Sequence, residues 1–364
     1  MEFNKKLVCF INTAGIWGGG ENWQYETMLD LKDEIDLVSI SNPGGKLCML
    51  LKDAGIRTYP FKSKNLSFLN PIKLLRAFIL LKRLNPHAVL FNTSNDFKMF
   101  TLPAKWAGIK YILYRRDNGK PLRSHLLNKV LLRKGITHLL PCSQFIGKAA
   151  LSNDVNLFPP SKIDTIYNSI NLKKWDSIDA TALSVGRKAN EIIFGCIGRL
   201  SLEKGQLFLP PVAAKLKEKS HDFRILVAGT GPLKSELESL IIETNVEKHI
   251  RLMGFVDSNK SFLNSIDCLI IPSHWEGLST VAIEAMAMHK PIIAFDVASN
   301  SEVVQHGITG LLAKPFDIEE VASQMFRFIS SPAELKVMGD RGRKLAEKTF
   351  SKEVTNKQFI KYFF

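Results

Sequence analysis

"CLIIPSHWEGLSTVAIEAMAMHKPIIAFDV", residues 268–297, opens and closes on apolar runs with strand character, 268–273 and 291–297. Between them lies an apolar stretch with helical spacing. Strand, helix, strand in that order is the repeating unit of a parallel sheet with helices on both faces. Two glutamates stand eight positions apart in it. Glu276 comes just before the helical run and Glu284 lies inside it.

The same alternation runs along the chain. Strands are expected at 7–14, 35–41, 56–61, 88–94, 111–116, 138–143 and 163–170, then again at 191–200, 223–231 and 250–256. Helical periodicity fills the intervals, as in "PIKLLRAFILLKRL" (71–84), where Pro71 suits the first helical position. A polar stretch at 171–190 reads as a linker. At 364 residues the chain is too long for one ordinary core. It therefore reads as α/β, with doubly wound Rossmann-like domains at 1–175 and 176–350 facing each other across a cleft. Residues 351–364 read as a terminal helix packing back on the first domain. Ligands belong at the carboxyl ends of the strands.

Composition is that of a globular protein, with 45% hydrophobic and 23% charged residues, and no apolar run approaches the roughly 20 residues of a membrane span. The apolar run that follows the N-terminal lysines is too short for a secretory signal and reads as the first strand. Five scattered cysteines without paired spacing suggest reduced, buried thiols and a cytoplasmic setting. Charge divides unevenly. Residues 1–175 hold 26 Lys and Arg against 12 Asp and Glu, a net +14, whereas residues 176–364 hold 23 of each. The first half thus faces something anionic: a membrane surface, an acidic acceptor or nucleic acid. Two basic amphipathic stretches, 71–85 and 121–135, could lie on the inner face of the plasma membrane, although helices of a doubly wound domain have an apolar face in any case. No nucleic-acid motif or aromatic-interleaved basic patch is present, so that partner is not expected.

The strand ends carry the chemistry. After 191–200 comes "GRLSLEKGQ", where Arg199 and Lys204 flank a strand-to-helix turn suited to a diphosphate. After 223–229 comes "GTGPLKSELE", which lacks the third glycine of a dinucleotide fingerprint and reads as a tight turn into a helix begun by Pro232. If the whole interval between the two glutamates were helical, it would span roughly 12 Å. Paired carboxylates acting on one glycosidic bond stand roughly 5 to 9.5 Å apart. The pair reads instead as two anchors on an extended ligand. Amides of Gly277, Leu278, Ser279 and Thr280 would meet an anion between them. A nucleotide-sugar has that shape: hydroxyls at both ends, diphosphate in the middle.

"GRLSLEKG", "GTGPLKSEL", "MGFV", "PSHWEGLSTVAIEAMAMHKPIIA" and "SEVVQHGITGLL", in this order, resemble the C-terminal domain of glycosyltransferase family 4, of GT-B fold. "GGGENW" (18–23), "PCSQFIGKAAL" (141–151), "IDTIYNSINLKKW" (163–175) and "MGDRGRKLAEKTFS" (338–351) extend the resemblance over most of the chain. The resemblance implies a retaining glycosyltransferase building a cell-surface polysaccharide or lipopolysaccharide on a glycan or lipid-linked acceptor. In it Glu276 holds hydroxyls of the transferred sugar, Glu284 the ribose, and Arg199 and Lys204 the diphosphate, in place of a metal. Gly254, Phe255 and Val256 line the base pocket. Gly18 and Gly19 approach the phosphates, while Gly20, Glu21, Arg116 and Asp117 stand on the acceptor side. No Asp-x-Asp metal motif is present, and no cofactor is implied beyond the donor, expected to be a UDP-sugar with a GDP-sugar as the alternative.

Two departures stand out. Arg116-Asp117 replaces the family's frequent His-Asp pair, and Asn168-Ser169-Ile170-Asn171 keeps only the asparagine of its common Asn-Gly-Val-Asp. His289, where a small residue is usual, is expected to pack. The rival readings are a nucleotide-sugar epimerase on a related fold, a basic nucleic-acid-binding protein and a catalytically inert homologue.

Overall fold

A computed structural model describes residues 6–363. They form two compact units: residues up to Asn168 together with the segment from Thr355, and Ser169–Val354. Each is built on a six-stranded sheet whose pairings are all parallel.

The first sheet comprises β1 (Leu7–Asn12), β2 (Asp36–Ser41), β3 (Arg57–Pro60), β4 (Ala88–Phe91), β5 (Tyr111–Arg116) and β6 (His138–Pro141). Its strand order is β3-β2-β1-β4-β5-β6. Successive side chains of a strand point to opposite faces, and here both faces are apolar. Cys9, Ile11, Val38, Ile40, Val89, Phe91, Ile112 and Tyr114 enter a core roofed by Ala77, Leu81, Phe97, Phe100, Leu131 and Leu132. Their neighbours Val8, Phe10, Leu37, Ala88, Leu90 and Leu113 enter the opposite core with Trp23, Met28, Leu47 and Leu51. Phe359, Tyr362 and Phe363 of the C-terminal segment complete that second core. Burial on both sides is why these strands read as unbroken apolar runs.

The second sheet comprises β7 (Ile192–Ile197), β8 (Phe223–Ala228), β9 (Ile250–Gly254), β10 (Cys268–Ile271), β11 (Ile292–Phe295) and β12 (Gly310–Ala313), in the order β12-β11-β10-β7-β8-β9. The two sheets share one topology. In each, the winding reverses beside the first strand, between β1 and β4 and between β7 and β10. A crevice opens at the carboxyl ends of the strands at such a reversal.

Three sequence expectations change. Residues 163–170 form no strand and make only isolated bridges, Leu139 to Ile163 and Ile170 to Ser351. Their apolar residues, Ile163, Ile166 and Ile170, do not alternate with period two, and the side chain of Asn168 accepts a hydrogen bond from Arg115 Nη2 at 2.6 Å. The stretch read as a linker, 171–190, begins with a helix, Leu172–Ser177, and then runs along the second unit. Leu183 N donates to Ser265 Oγ at 2.6 Å, and Arg187 pairs with Asp267 at 2.9 Å. The helix expected from Pro232 begins at Lys234. Strand β12, Gly310–Ala313, is an addition to the strands read from sequence.

Backbone crowding explains the glycines around β7. Gly205 has φ +67°, and a Cβ there would lie 1.9 Å from the carbonyl oxygen of Pro272, just beyond β10. At Gly229 a Cβ would lie 1.9 Å from the carbonyl oxygen of Gly198. These glycines let the loops after β7, β8 and β10 touch. Gly205→Ala should therefore lower stability by about 2–4 kcal/mol, from left-handed strain plus a backbone clash. Urea denaturation checks this, and a loss below about 1 kcal/mol would show that the loops separate easily.

Candidate active site

In the second unit the loops after β7 and β10 meet at the winding reversal. Ser201 starts a tight turn, Leu202–Lys204, which Gly205 ends. The turn delivers Lys204 Nζ to Glu276 Oε1 at 2.7 Å. Ser273 Oγ donates to the same oxygen at 2.8 Å, and Ser299 Oγ donates to the Glu276 carbonyl at 3.2 Å. His274 N donates to the Glu203 carbonyl at 3.0 Å, tying the two loops together. Glu276 is only 7% exposed, so its carboxylate needs these donors. Arg199 stands exposed beside the turn, its carbonyl held by Gln206 Nε2 at 3.0 Å. The buried thiol of Cys196 lies at the end of β7, and burial pushes it up to about 12, which leaves it protonated at neutral pH and no nucleophile.

The helix Thr280–Ala287 follows. Ser279 caps it, its Oγ accepting from Ala282 N at 3.4 Å, and Gly277 and Leu278 are buried in the approach. The positive end of the helix therefore lies between Glu276 and Glu284. Glu284, half-buried, sits one turn into the helix. Burial pushes its carboxyl up to about 7, opposed by Asn259 Nδ2, which donates to Oε2 at 2.8 Å. Asn259 opens the helix after β9, capped by Ser258 Oγ. Gly254 ends β9 at φ +68°, its carbonyl accepting from Gly229 N at 2.7 Å, and Phe255 is 74% exposed. Gly254, Phe255 and Val256 thus precede, by Asp257 and Ser258, the asparagine that holds Glu284.

In the first unit the loops after β1, β4 and β5 meet in the same way. Gly18 is the cap of the helix Gly19–Leu31. Asn12 Nδ2, at the end of β1, donates to Glu21 Oε1 at 3.0 Å, and Asn92 Nδ2, just after β4, donates to the Gly20 carbonyl at 2.9 Å. A Cβ on Gly20 would stand 3.3 Å from Asp117 Oδ2. Asp117 pairs with Arg115 Nε at 3.1 Å, while the Arg115 guanidinium, fully buried, stacks 3.8 Å over the Trp23 ring. Gly20, Glu21 and Asp117 are therefore neighbours. Arg116 turns to its own loop: it donates to Tyr114 Oη at 3.1 Å, Asn118 Oδ1 at 3.0 Å and the Lys120 carbonyl at 2.5 Å.

His289 does not pack. It is exposed at φ +55°, two residues past the end of its helix at Ala287, and its Nδ1 lies 2.7 Å from Asp340 Oδ1. The pairing with Asp340, on the helix Pro332–Leu345, holds the imidazole at the surface rather than in a core. Sequence reasoning missed Ser273, Asn259, Asn12, Asn92 and the Arg115–Trp23 stack. Ser273 was within reach, three residues before Glu276. Asn259 carried no local signal, being joined to Glu284 only by packing between two helices.

Residues 179–345 match the family described as glycosyl transferases group 1. An uncharacterized glycosyltransferase of Methanocaldococcus jannaschii is 29% identical over 180 residues, 47% of this chain and 46% of that one. The chain thus spans about half the length of such curated relatives. The UDP-Gal:alpha-D-GlcNAc-diphosphoundecaprenol alpha-1,3-galactosyltransferase of Escherichia coli is 24% identical over 315 residues, 81% of this chain and 80% of that one. Among solved structures, Anabaena HepE in complex with UDP and glucose superposes with a TM-score of 0.78 at 19% identity, covering 98% of each chain. The chain has the GT-B fold.

Proposed function

We propose that the chain is a glycosyltransferase that moves a sugar, with retention of anomeric configuration, from a nucleoside-diphosphate donor to a glycan or lipid-linked acceptor of the cell surface. The observation that carries this reading is the Lys204–Glu276 pair, 2.7 Å apart at the winding reversal of the second unit and followed by a helix N-terminus and Glu284. A cation and helix amides suit a diphosphate, and carboxylates at either end suit sugar and ribose hydroxyls. Lys204 and Arg199 neutralise the departing diphosphate without a metal. Glu276 orients the transferred sugar, and Glu284 accepts from the ribose. The bond from the anomeric carbon to the diphosphate oxygen breaks, the acceptor oxygen bonds to the same face, and its proton passes to the departing diphosphate.

A UDP-sugar is the first candidate donor and a GDP-sugar the second. The E. coli relative's name contains UDP-Gal and a lipid-linked diphosphate acceptor, and the HepE structure holds UDP and glucose, which supports this choice. Incubation of the full chain with UDP- and GDP-sugars, a lipid-linked diphosphate acceptor and EDTA tests it. Nucleoside diphosphate should be released in step with a product whose anomeric proton coupling equals the donor's. An inverted product, or activity abolished by EDTA, would overturn the corresponding part.

A further inference from the structure

The first unit is electrically two-sided. Between Asp53 and Asp96 the chain has no acidic residue but seven cations: Arg57, Lys62, Lys64, Lys73, Arg76, Lys82 and Arg83. Between Asp117 and Asp154 it again has none, against six cations. Both stretches supply helices, Pro71–Leu84 and Leu126–Val130 with its continuation to Gly135, that cover the same face of the sheet and share one core. The acids of this unit concentrate instead at 21–53, in and around the helices of the opposite face.

The helix Pro71–Leu84 has a second apolar stripe besides the one it buries. Asn70 caps it, Oδ1 accepting from Lys73 N at 3.1 Å, and Ala77 and Leu81 face the core. At about 100° per residue, Ile72, Leu75 and Ile79 fall within about 60° of one another on the side away from those two. They are 69%, 56% and 54% exposed. Leu66 and Leu69, in the turn before the helix, are 68% and 66% exposed. Arg76 and Arg83 flank this stripe and are exposed as well. Sheet packing accounts for the inner stripe and leaves the outer one unexplained. An aqueous surface gains nothing from three large aliphatic side chains at helical spacing with two more in the turn before them.

We infer that this face is a docking surface for an anionic lipid bilayer, with Leu66, Leu69, Ile72, Leu75 and Ile79 entering the interface and the surrounding cations meeting lipid phosphates. Charge complementarity favours that occupant: the acid-free stretches surround an apolar stripe, whereas a nucleic acid would need cations with stacking aromatics rather than aliphatics. No helix among the described residues is long and apolar enough to cross a membrane. The contact is therefore one of surface docking through this helix face.

Co-sedimentation of the full chain with vesicles tests the inference. Vesicles of phosphatidylcholine with about a third phosphatidylglycerol should bind the protein, and pure phosphatidylcholine should bind it at least about tenfold more weakly. Raising salt from about 0.05 to about 0.5 M should weaken the anionic binding. Arg76→Glu with Arg83→Glu should reduce it by about tenfold or more. So should Ile72→Ser with Ile79→Ser, whereas Lys32→Glu with Lys52→Glu on the opposite face should change it little. All these positions are exposed, and unchanged melting temperatures establish that each variant is folded. No vesicle binding by the folded wild type would overturn the inference. So would equal losses in the two charge-reversal pairs, or binding confined to RNA.

Discussion

Lys204→Ala should lower glycosyl transfer by about 10²–10³-fold, because its charge offsets that of the diphosphate as the sugar leaves. The side chain is partly exposed, and its ammonium lies 2.7 Å from Glu276 Oε1. Removal also lowers stability, since the buried Glu276 carboxylate keeps only the Ser273 hydroxyl as donor at 2.8 Å, so the melting temperature is read beside the kinetics. Glu276→Gln should produce a comparable fall in kcat with a small change in affinity for the free nucleotide, since the sugar hydroxyls are its ligands. The double variant should be far less than multiplicatively worse than either single one, because the two side chains act as a unit. Kinetics of the three variants measures this. Fully multiplicative losses would separate the two residues into independent roles.

Glu284 gives the second large effect, and here affinity changes rather than turnover. Glu284→Ala should weaken nucleotide binding by about 10–100-fold, through loss of charge-assisted hydrogen bonds to the ribose. Its carboxyl, pushed up to about 7 by burial, adds a pH signature. Between the ordinary carboxylate range and pH 7 the native state holds a proton that the unfolded state has released. The stability of the unliganded protein therefore falls as pH rises through that window, by at most about 3 kcal/mol. Glu284→Gln removes this loss, so that variant should be more stable than wild type at pH 8 and equal to it near pH 4. Ligand hydroxyls favour the ionised form, so donor affinity should rise between pH 6 and 8 in the wild type and stay flat in the glutamine variant. A nucleotide-sugar is the proper titrant, since its diphosphate is esterified at both ends and has no proton to lose near neutrality. Calorimetric titration at three pH values decides. A pH-independent affinity in the wild type would remove Glu284 from the ribose.

The parallel sheets were legible because strands buried on both faces are continuous apolar runs, and eleven of the twelve observed strands lie in runs read from sequence. Strand β12 escaped because its apolar core, Leu311–Ala313, is only three residues between Gly310 and Lys314. Residues 163–170 misled because the spacing of their isoleucines, three and four apart, is not that of a strand. In the second unit, Glu276, Arg199 and Lys204 were visible as chemistry at strand ends, but the meeting of Lys204 with Glu276 is a property of topology. Lys204 and Glu276 stand 72 positions apart in sequence, and the reversal between β7 and β10 makes them neighbours. The Asn259–Glu284 bond and the Arg115–Trp23 stack depend on packing between elements with no sequence relation. Arg116 shows the converse: a cation at a strand end that the fold turns toward its own loop.

Thermal unfolding of the full chain with UDP, GDP, ADP and their sugar conjugates, with and without EDTA, tests the donor site most directly. One nucleotide family, at about 100 times its dissociation constant, should stabilise the wild type by about 2.7 kcal/mol, equally in EDTA. At the same concentration it should stabilise Glu284→Ala far less. No stabilisation by any of these ligands in a folded sample, or the same stabilisation in Glu284→Ala, would contradict the account.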